Sequence, residues 1–154
     1  HGLISAALFL SIGVMYDRLH TRKIHDYGGI VTTMPKFSVL MVFFALSNAA
    51  LPGTSGFVGE LTVILASFKV NIYIALLSAS TLIIGAAYTL WMIKRVIFGA
   101  VINERINVQK DMKLIEAIPL SLLAFFILLL GVWPKPLMDT MSATIMWTAN
   151  IITG

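Results

Sequence analysis

Leu51-Pro52-Gly53-Thr54-Ser55-Gly56-Phe57-Val58-Gly59-Glu60 interrupts an apolar run that reaches from Phe37 to Phe68. The run holds 32 residues and one charge, Glu60. As one helix it would extend about 48 Å, against a bilayer hydrocarbon core of about 30 Å. Pro52 lacks an N–H and clashes with the preceding turn. Gly53 and Gly56 permit positive φ, and Thr54 and Ser55 are residue types that restart helices. The pattern therefore predicts two half-helices, about Phe37–Leu51 and about Phe57–Phe68, joined by an unwound linker. Lipid cannot satisfy unwound backbone, so such a break must be buried in protein or line a wet cavity.

The composition agrees with a membrane setting. Of 154 residues, 58% are hydrophobic and 12% charged, and the mean hydropathy is +0.93. Water-soluble domains are about 45–50% apolar and about 25% charged. The balance excludes a disordered segment, a nucleic-acid module and a secreted disulfide scaffold. With no cysteine, the chain has no disulfide, thiolate metal site or iron–sulfur ligand. The fold class is an all-α polytopic transmembrane helix bundle.

Around the broken segment, the pattern predicts a helix over about 1–16, one over 72–93, one over 117–133, and an amphipathic tail over 137–152. In the tail, Leu137, Met141, Ile145, Thr148 and Ile152 recur at helical spacing. It suits either the membrane surface or a neighbouring chain. The sequence opens His1-Gly2-Leu3, already inside an apolar run, without an initiator Met or a basic signal region. It reads as the C-terminal part, residues 1–154, of a longer membrane protein.

The cations fall on one side. If helices alternate, Arg18, Arg22, Lys23, Lys36, Lys94, Arg95, Arg105, Lys110 and Lys113 share one face, and Lys69 and Lys135 the other. A nine-to-two split is a strong positive-inside signal. The net charge of +4 is topogenic, and nucleic acid need not be invoked.

Glu60 is the candidate site. Burial favours a neutral carboxyl, whereas the positive end of a half-helix favours the anion. A near balance lets small movements change protonation, as a proton relay requires. An intramembrane carboxylate is a functional candidate by default; the competing reading is a structural hydrogen-bonding group in a kinked helix. His1 is a second relay candidate, set against an ordinary packed histidine. His20 and His25 read as solvated loop residues, and Lys94 as a side chain snorkelling to the interface. Ser78, Ser80, Gly85, Ala86 and Ala87 read as small faces for close helix contact. The sequence contains no glycine-rich phosphate loop, zinc-protease HExxH, CxxC or GxSxG motif.

His1-Gly2-Leu3-Ile4-Ser5-Ala6-Ala7-Leu8-Phe9, with Tyr16-Asp17-Arg18-Leu19-His20-Thr21-Arg22 and the 51–60 stretch, resembles the proton-translocating antiporter-like subunits of respiratory complex I. The resemblance runs over nearly the whole chain and is least specific past Trp133. It implies a fourteen-helix fold with two inverted five-helix repeats, of which this chain would be the last four helices. It implies catalytic proton-relay roles for Glu60, as the acid on the second broken helix, and for His1. The helix break would be Pro52, Gly53, Thr54, Ser55 and Gly56. Within the family it resembles, sister subunits and related sodium/proton antiporter chains typically have Lys where Glu60 stands.

The resemblance further implies translocation of protons coupled to electron transfer from NADH to quinone. No cofactor is expected in this chain; NADH, FMN, Fe–S clusters and quinone would belong to other subunits. Implied partners are the adjacent antiporter-like membrane subunits, the lipid bilayer, protons and water, with no nucleic acid. The implied location is the bacterial inner membrane, or the mitochondrial inner membrane as the alternative. A sodium/proton antiporter without redox coupling and a purely structural membrane subunit are the rival classes.

Overall fold

A computed structural model describes residues 1–101 and 103–153. The side chain of Ile152, the last position of the apolar stripe in the tail, lies outside the described residues, as do Ile102 and Gly154. The described elements are helical, with no strand among them: α1 (Gly2–Leu19), α2 (Pro35–Asn48), α3 (Ser55–Val70), α4 (Ile72–Val96), α5 (Leu114–Val132) and α6 (Lys135–Thr153). Short 3-10 turns occupy Ile24–Asp26, Ile30–Thr32 and Glu104–Ile106. Helices α1, α4 and α5 are long and apolar enough to cross a bilayer. Helices α2 and α3, of 14 and 16 residues, are about 21 and about 24 Å long. Each is too short to cross alone.

The termini follow local chemistry. His20 closes α1 in the left-handed conformation and returns its N–H to Tyr16 O at 2.7 Å. Pro35 begins α2, where its missing N–H costs nothing. The next amides, of Lys36 and Phe37, donate to the Asp111 carboxylate at 2.9 and 3.2 Å. Asn71 separates α3 from α4 and accepts the Tyr73 N–H at 2.8 Å. Lys113 N–H donates to Glu116 Oε2 at 2.7 Å, closing the first turn of α5.

Helix α2 is the hub and packs against α1, α3, α4 and α5. Its Phe37, Met41, Phe44 and Ala45 are buried, with Ile4, Ala7 and Met15 of α1 and Leu120 and Ile127 of α5. Helices α3 and α6 bury no residue completely among those described. Many of their large apolar side chains are exposed, among them Leu65, Phe68 and Val70 of α3 and Met141, Ile145 and Trp147 of α6.

The basic loops meet at one end. Val31 N–H donates to Ile97 O at 3.3 Å. Arg18 makes two bonds to Glu116, Nη1 to Oε1 at 3.1 Å and Nη2 to Oε2 at 2.8 Å. It also donates to the carbonyls of Val14 and Lys110. The two side chains are 12% and 20% exposed, so the paired fork joins α1 to α5 in a partly dry setting. The sequence reading counted Arg18 only as a topogenic cation.

At the other end of α2 the chain is non-helical from 49 to 54. Leu51 N–H bonds Leu46 O at 3.0 Å and Ala50 N–H bonds Ser47 O at 3.2 Å. This is the Schellman pattern, with Ala50 in the left-handed position that glycine usually takes, at φ 58°. Helix α2 thus ends at Asn48, three residues before the Leu51 boundary expected from sequence, because this cap closes ahead of Pro52. Thr54 is the residue before α3, yet its hydroxyl does not cap that helix. It turns back and donates to Leu51 O at 2.7 Å.

Gly131 of α5 lies directly against the linker: a Cβ there would stand 2.5 Å from Thr54 Cα and would strike the Gly53 carbonyl oxygen. Gly131→Ala should therefore lower the stability of the full-length protein by about 1–3 kcal/mol. Gly13→Ala in α1, whose Cβ would meet nothing within 4 Å, should be neutral or slightly stabilising. Thermal melting in detergent checks both, and equal midpoints for the two variants would contradict the close contact. Arg18→Ala should cost about 1.5–3 kcal/mol by stranding Glu116, read as a fall in the same midpoint.

Candidate functional site

The break creates the site because α3 restarts beside the end of α2. Gly56 makes the approach possible, since a Cβ there would collide with Ser47 O. A cavity of about 350 Å³ lies where α1 begins, α2 ends, and α3 and α4 run side by side. Glu60, the sixth residue of α3, lines it. His1, the N-cap of α1, lines it as well. These two are the titratable groups among its described lining residues.

The rest of the polar wall comes from Ser47, Asn48, Ser55, Ser78 and Thr81. Ser55 Oγ is buried and has no hydrogen-bond partner among the described residues. Thr81 donates to Ser78 O at 2.6 Å. Asn48 Nδ2 donates to Thr89 Oγ1 at 3.2 Å, fixing the end of α2 to α4. Glu60 is half-buried and has no ion-pair partner within 4.0 Å among the described residues.

Depth follows from the hairpin of α3 and α4. Thr81 stands about 13 Å from the first residue of α4 and about 22 Å from its last. Glu60 shares the cavity with Thr81 and so lies well inside the span. Glu60 lies in the second turn of α3 and shares the cavity with Ser47 and Asn48 at the end of α2. A carboxyl held there, with hydroxyls and an amide around it, can exchange a proton with water or with a neighbouring base.

Of the residues singled out from sequence, Glu60, His1, Ser55 and Gly56 line one cavity. Pro52, Gly53 and Thr54 form the linker between α2 and α3 and are not among the residues that line the cavity. Gly53 adopts φ 90°, which explains a glycine there. Lys94 is exposed at the far end of α4 in a recess with His25 and Arg95, away from the cavity. Ser78 belongs to the cavity wall as well as to a small helix face. Ser47, Asn48 and Thr81 escaped the sequence reading. The available signal was Ser78 and Thr81 at i, i+3 on one helix face, and two polar residues, Ser47 and Asn48, just before the break. Among the described residues, no group of three or more His, Asp or Glu side chains is placed to hold a metal ion.

Comparison with known proteins agrees with this architecture. The family model for the transmembrane region of NADH:quinone oxidoreductase and Mrp antiporters matches residues 1–85. Subunit M of the Rhodobacter capsulatus NADH-quinone oxidoreductase is 45% identical over 145 residues, covering 94% of this chain and 28% of that protein. Chain 4 of the Prototheca wickerhamii NADH-ubiquinone oxidoreductase is 43% identical over 141 residues, covering 92% of this chain and 27% of that protein. The chain therefore spans less than a third of the length of these relatives. Among solved structures, a chain of the Mrp complex from Dietzia sp. DQ12-45-1b superposes with a TM-score of 0.77 at 21% identity, over 89% of this chain and 34% of that one. That likeness is one of fold. With apolar spans, a helix broken beside a carboxylate, and a family match over more than half its length, this chain is an integral membrane protein that belongs to the NADH:quinone oxidoreductase/Mrp antiporter transmembrane family.

Proposed function

We propose that the chain is part of a proton-translocating membrane subunit of NADH–quinone oxidoreductase, of the subunit M or chain 4 type named in its relatives. The observation that carries the reading is one cavity, inside the span and beside the helix break, whose lining includes both Glu60 and His1 together with Ser47, Asn48, Ser55, Ser78 and Thr81. A proton path needs groups that change charge inside the membrane, and such groups are expensive unless protein and water surround them. Discontinuous helices supply both the polar groups and the room.

In this account Glu60 takes up and releases H⁺, and His1 exchanges protons with it across the cavity. The hydroxyl of Ser55 and the polar atoms of Asn48 and Thr81 hold the water that bridges them. The charge that switches Glu60 comes from a buried cation on the remaining helices of a fourteen-helix subunit. Electron transfer occurs elsewhere in the complex, in the subunits that hold NADH, FMN, Fe–S clusters and quinone. This chain carries no cofactor and performs no redox step. Its partners are the adjacent antiporter-like subunits, in the bacterial inner membrane or the mitochondrial inner membrane.

Glu60→Gln keeps the shape and hydrogen bonding of the side chain and removes its exchangeable charge. In the assembled complex it should lower proton translocation at least about tenfold, in keeping with the usual loss when a proton-transfer group is removed. NADH–quinone turnover should fall in step if pumping and electron flow are tightly coupled. Glu60→Ala should still assemble. Proton uptake by energised vesicles measures the effect, and unimpaired pumping by an assembled Gln variant would reject the relay. Co-purification with NADH dehydrogenase activity separates this reading from a sodium/proton antiporter that works without redox partners.

A further inference from the structure

A second cavity lies away from the Glu60 site, at the basic end of the bundle. It is a cleft of about 550 Å³ between α1, the Ile24–Asp26 turn, α2 and α4. This falls within the usual range for ligand sites, about 300–1,000 Å³. Met15, Met41 and Val96 form its buried floor, and Phe9 and Ile12 stand at its open side. Arg22 closes the basic end, with its guanidinium 5.1 Å from the centre of the Tyr16 ring.

A smaller recess of about 300 Å³ continues the cleft, sharing Ile24 and Tyr27 with it. It is lined by His25, Lys94 and Arg95. Arg95 is stacked over Trp91 at 4.1 Å. Among the described residues, no carboxylate lies within 4.0 Å of Arg22, Lys94 or Arg95. The nearby Asp26 is engaged by the Thr21 hydroxyl and by His25. The apolar cleft, with Arg22 at its basic end, thus adjoins a recess lined by Lys94 and Arg95, and none of these three cations has a carboxylate partner among the described residues. It does so at the end where the basic loops gather, which is where a lipid headgroup would lie.

We propose that this cleft binds one acidic glycerophospholipid of the leaflet that faces the basic loops. An acyl chain occupies the slot between Phe9 and Met41, and the phosphate sits among Arg22, Lys94 and Arg95. Charge complementarity selects this occupant over a neutral lipid or an apolar helix: a helix would fill the slot and leave the three cations unmatched. The flanking Tyr16 and Trp91 rings suit the interfacial depth, and their faces hold both guanidinium groups in place. Each basic side chain near an acidic headgroup contributes on the order of a fivefold preference.

The test uses the full-length protein in its complex, exchanged into nanodiscs of equal phosphatidylcholine and phosphatidylglycerol. Native mass spectrometry then counts the lipid retained after mild delipidation. The wild type should retain phosphatidylglycerol over phosphatidylcholine by about tenfold or more. The triple variant R22Q/K94Q/R95Q should lose most of that preference. Gly13→Phe should lower retention of the bound lipid while leaving all three cations intact, because Gly13 lines the slot and a Cβ there meets nothing within 4 Å. Equal retention of the two lipids by the wild type overturns the proposal. So does undiminished phosphatidylglycerol on the triple variant or on Gly13→Phe, and so does a helix of the full-length chain found seated between Phe9 and Met41.

Discussion

Backbone amides and carbonyls inside a bilayer must find partners within the protein, and the segment 49–54 is where this chain meets that demand. A continuous helix would satisfy it automatically, but Pro52 lacks an amide donor and its ring crowds the preceding turn, and here the helix stops before it. The structure closes α2 with the bonds from Ala50 and Leu51 to the carbonyls of Ser47 and Leu46. It then uses the Thr54 hydroxyl on Leu51 O and lays Gly131 of α5 against Gly53 and Thr54. Ala50 holds a left-handed conformation that costs about 1–2 kcal/mol for a residue with a Cβ. A cost of that size, retained inside the membrane, marks the break as a built feature. With the linker covered by α5 on one side, the polar side chains around α3 gather on the other.

That gathering depends on a second anchor at the opposite end. Arg18 and Glu116 tie α1 to α5, and Asp111 caps α2 from the loop that precedes α5. These contacts set the relative heights of α1, α2 and α5. The height of α1 in turn brings His1, at its far end, to the cavity that Glu60 lines. A clasp at the basic face therefore helps position groups about 27 Å away along α1, the length of its 18 residues. The same face supplies the cations around the lipid cleft, so charges that read first as topological signals have local partners as well.

Much of the fold was legible because hydropathy and helix breakers act locally. The over-long apolar run, Pro52 and the carboxylate at 60 were enough to anticipate a helix interrupted beside an acid. The sorting of lysines and arginines anticipated that the two long loops share a face. The cap at Ala50 was hidden, since alanine carries no signal for a left-handed position, and the stop was placed on Pro52 instead. The roles of Gly131, Arg18 and Asp111 rest on contacts 74 to 98 residues distant in sequence, or on close backbone approach, neither of which a period or a propensity records. Of the site, the titratable members were readable. The hydroxyls and the amide that surround them were not, because Ser and Thr on a helix serve equally well as small contacts.

The central claim is that Glu60 changes its protonation inside a wet, protein-lined cavity, and vibrational spectroscopy tests it most directly. Infrared difference spectra of the full-length protein in its complex, recorded between resting and energised states, would carry the carbonyl stretch of any carboxylic acid that gains or loses a proton. A protonated-carboxyl band that shifts in D₂O and disappears in Glu60→Gln is the predicted result. An identical difference spectrum for wild type and Glu60→Gln would contradict the account, because it would leave the acid beside the helix break with no proton to exchange.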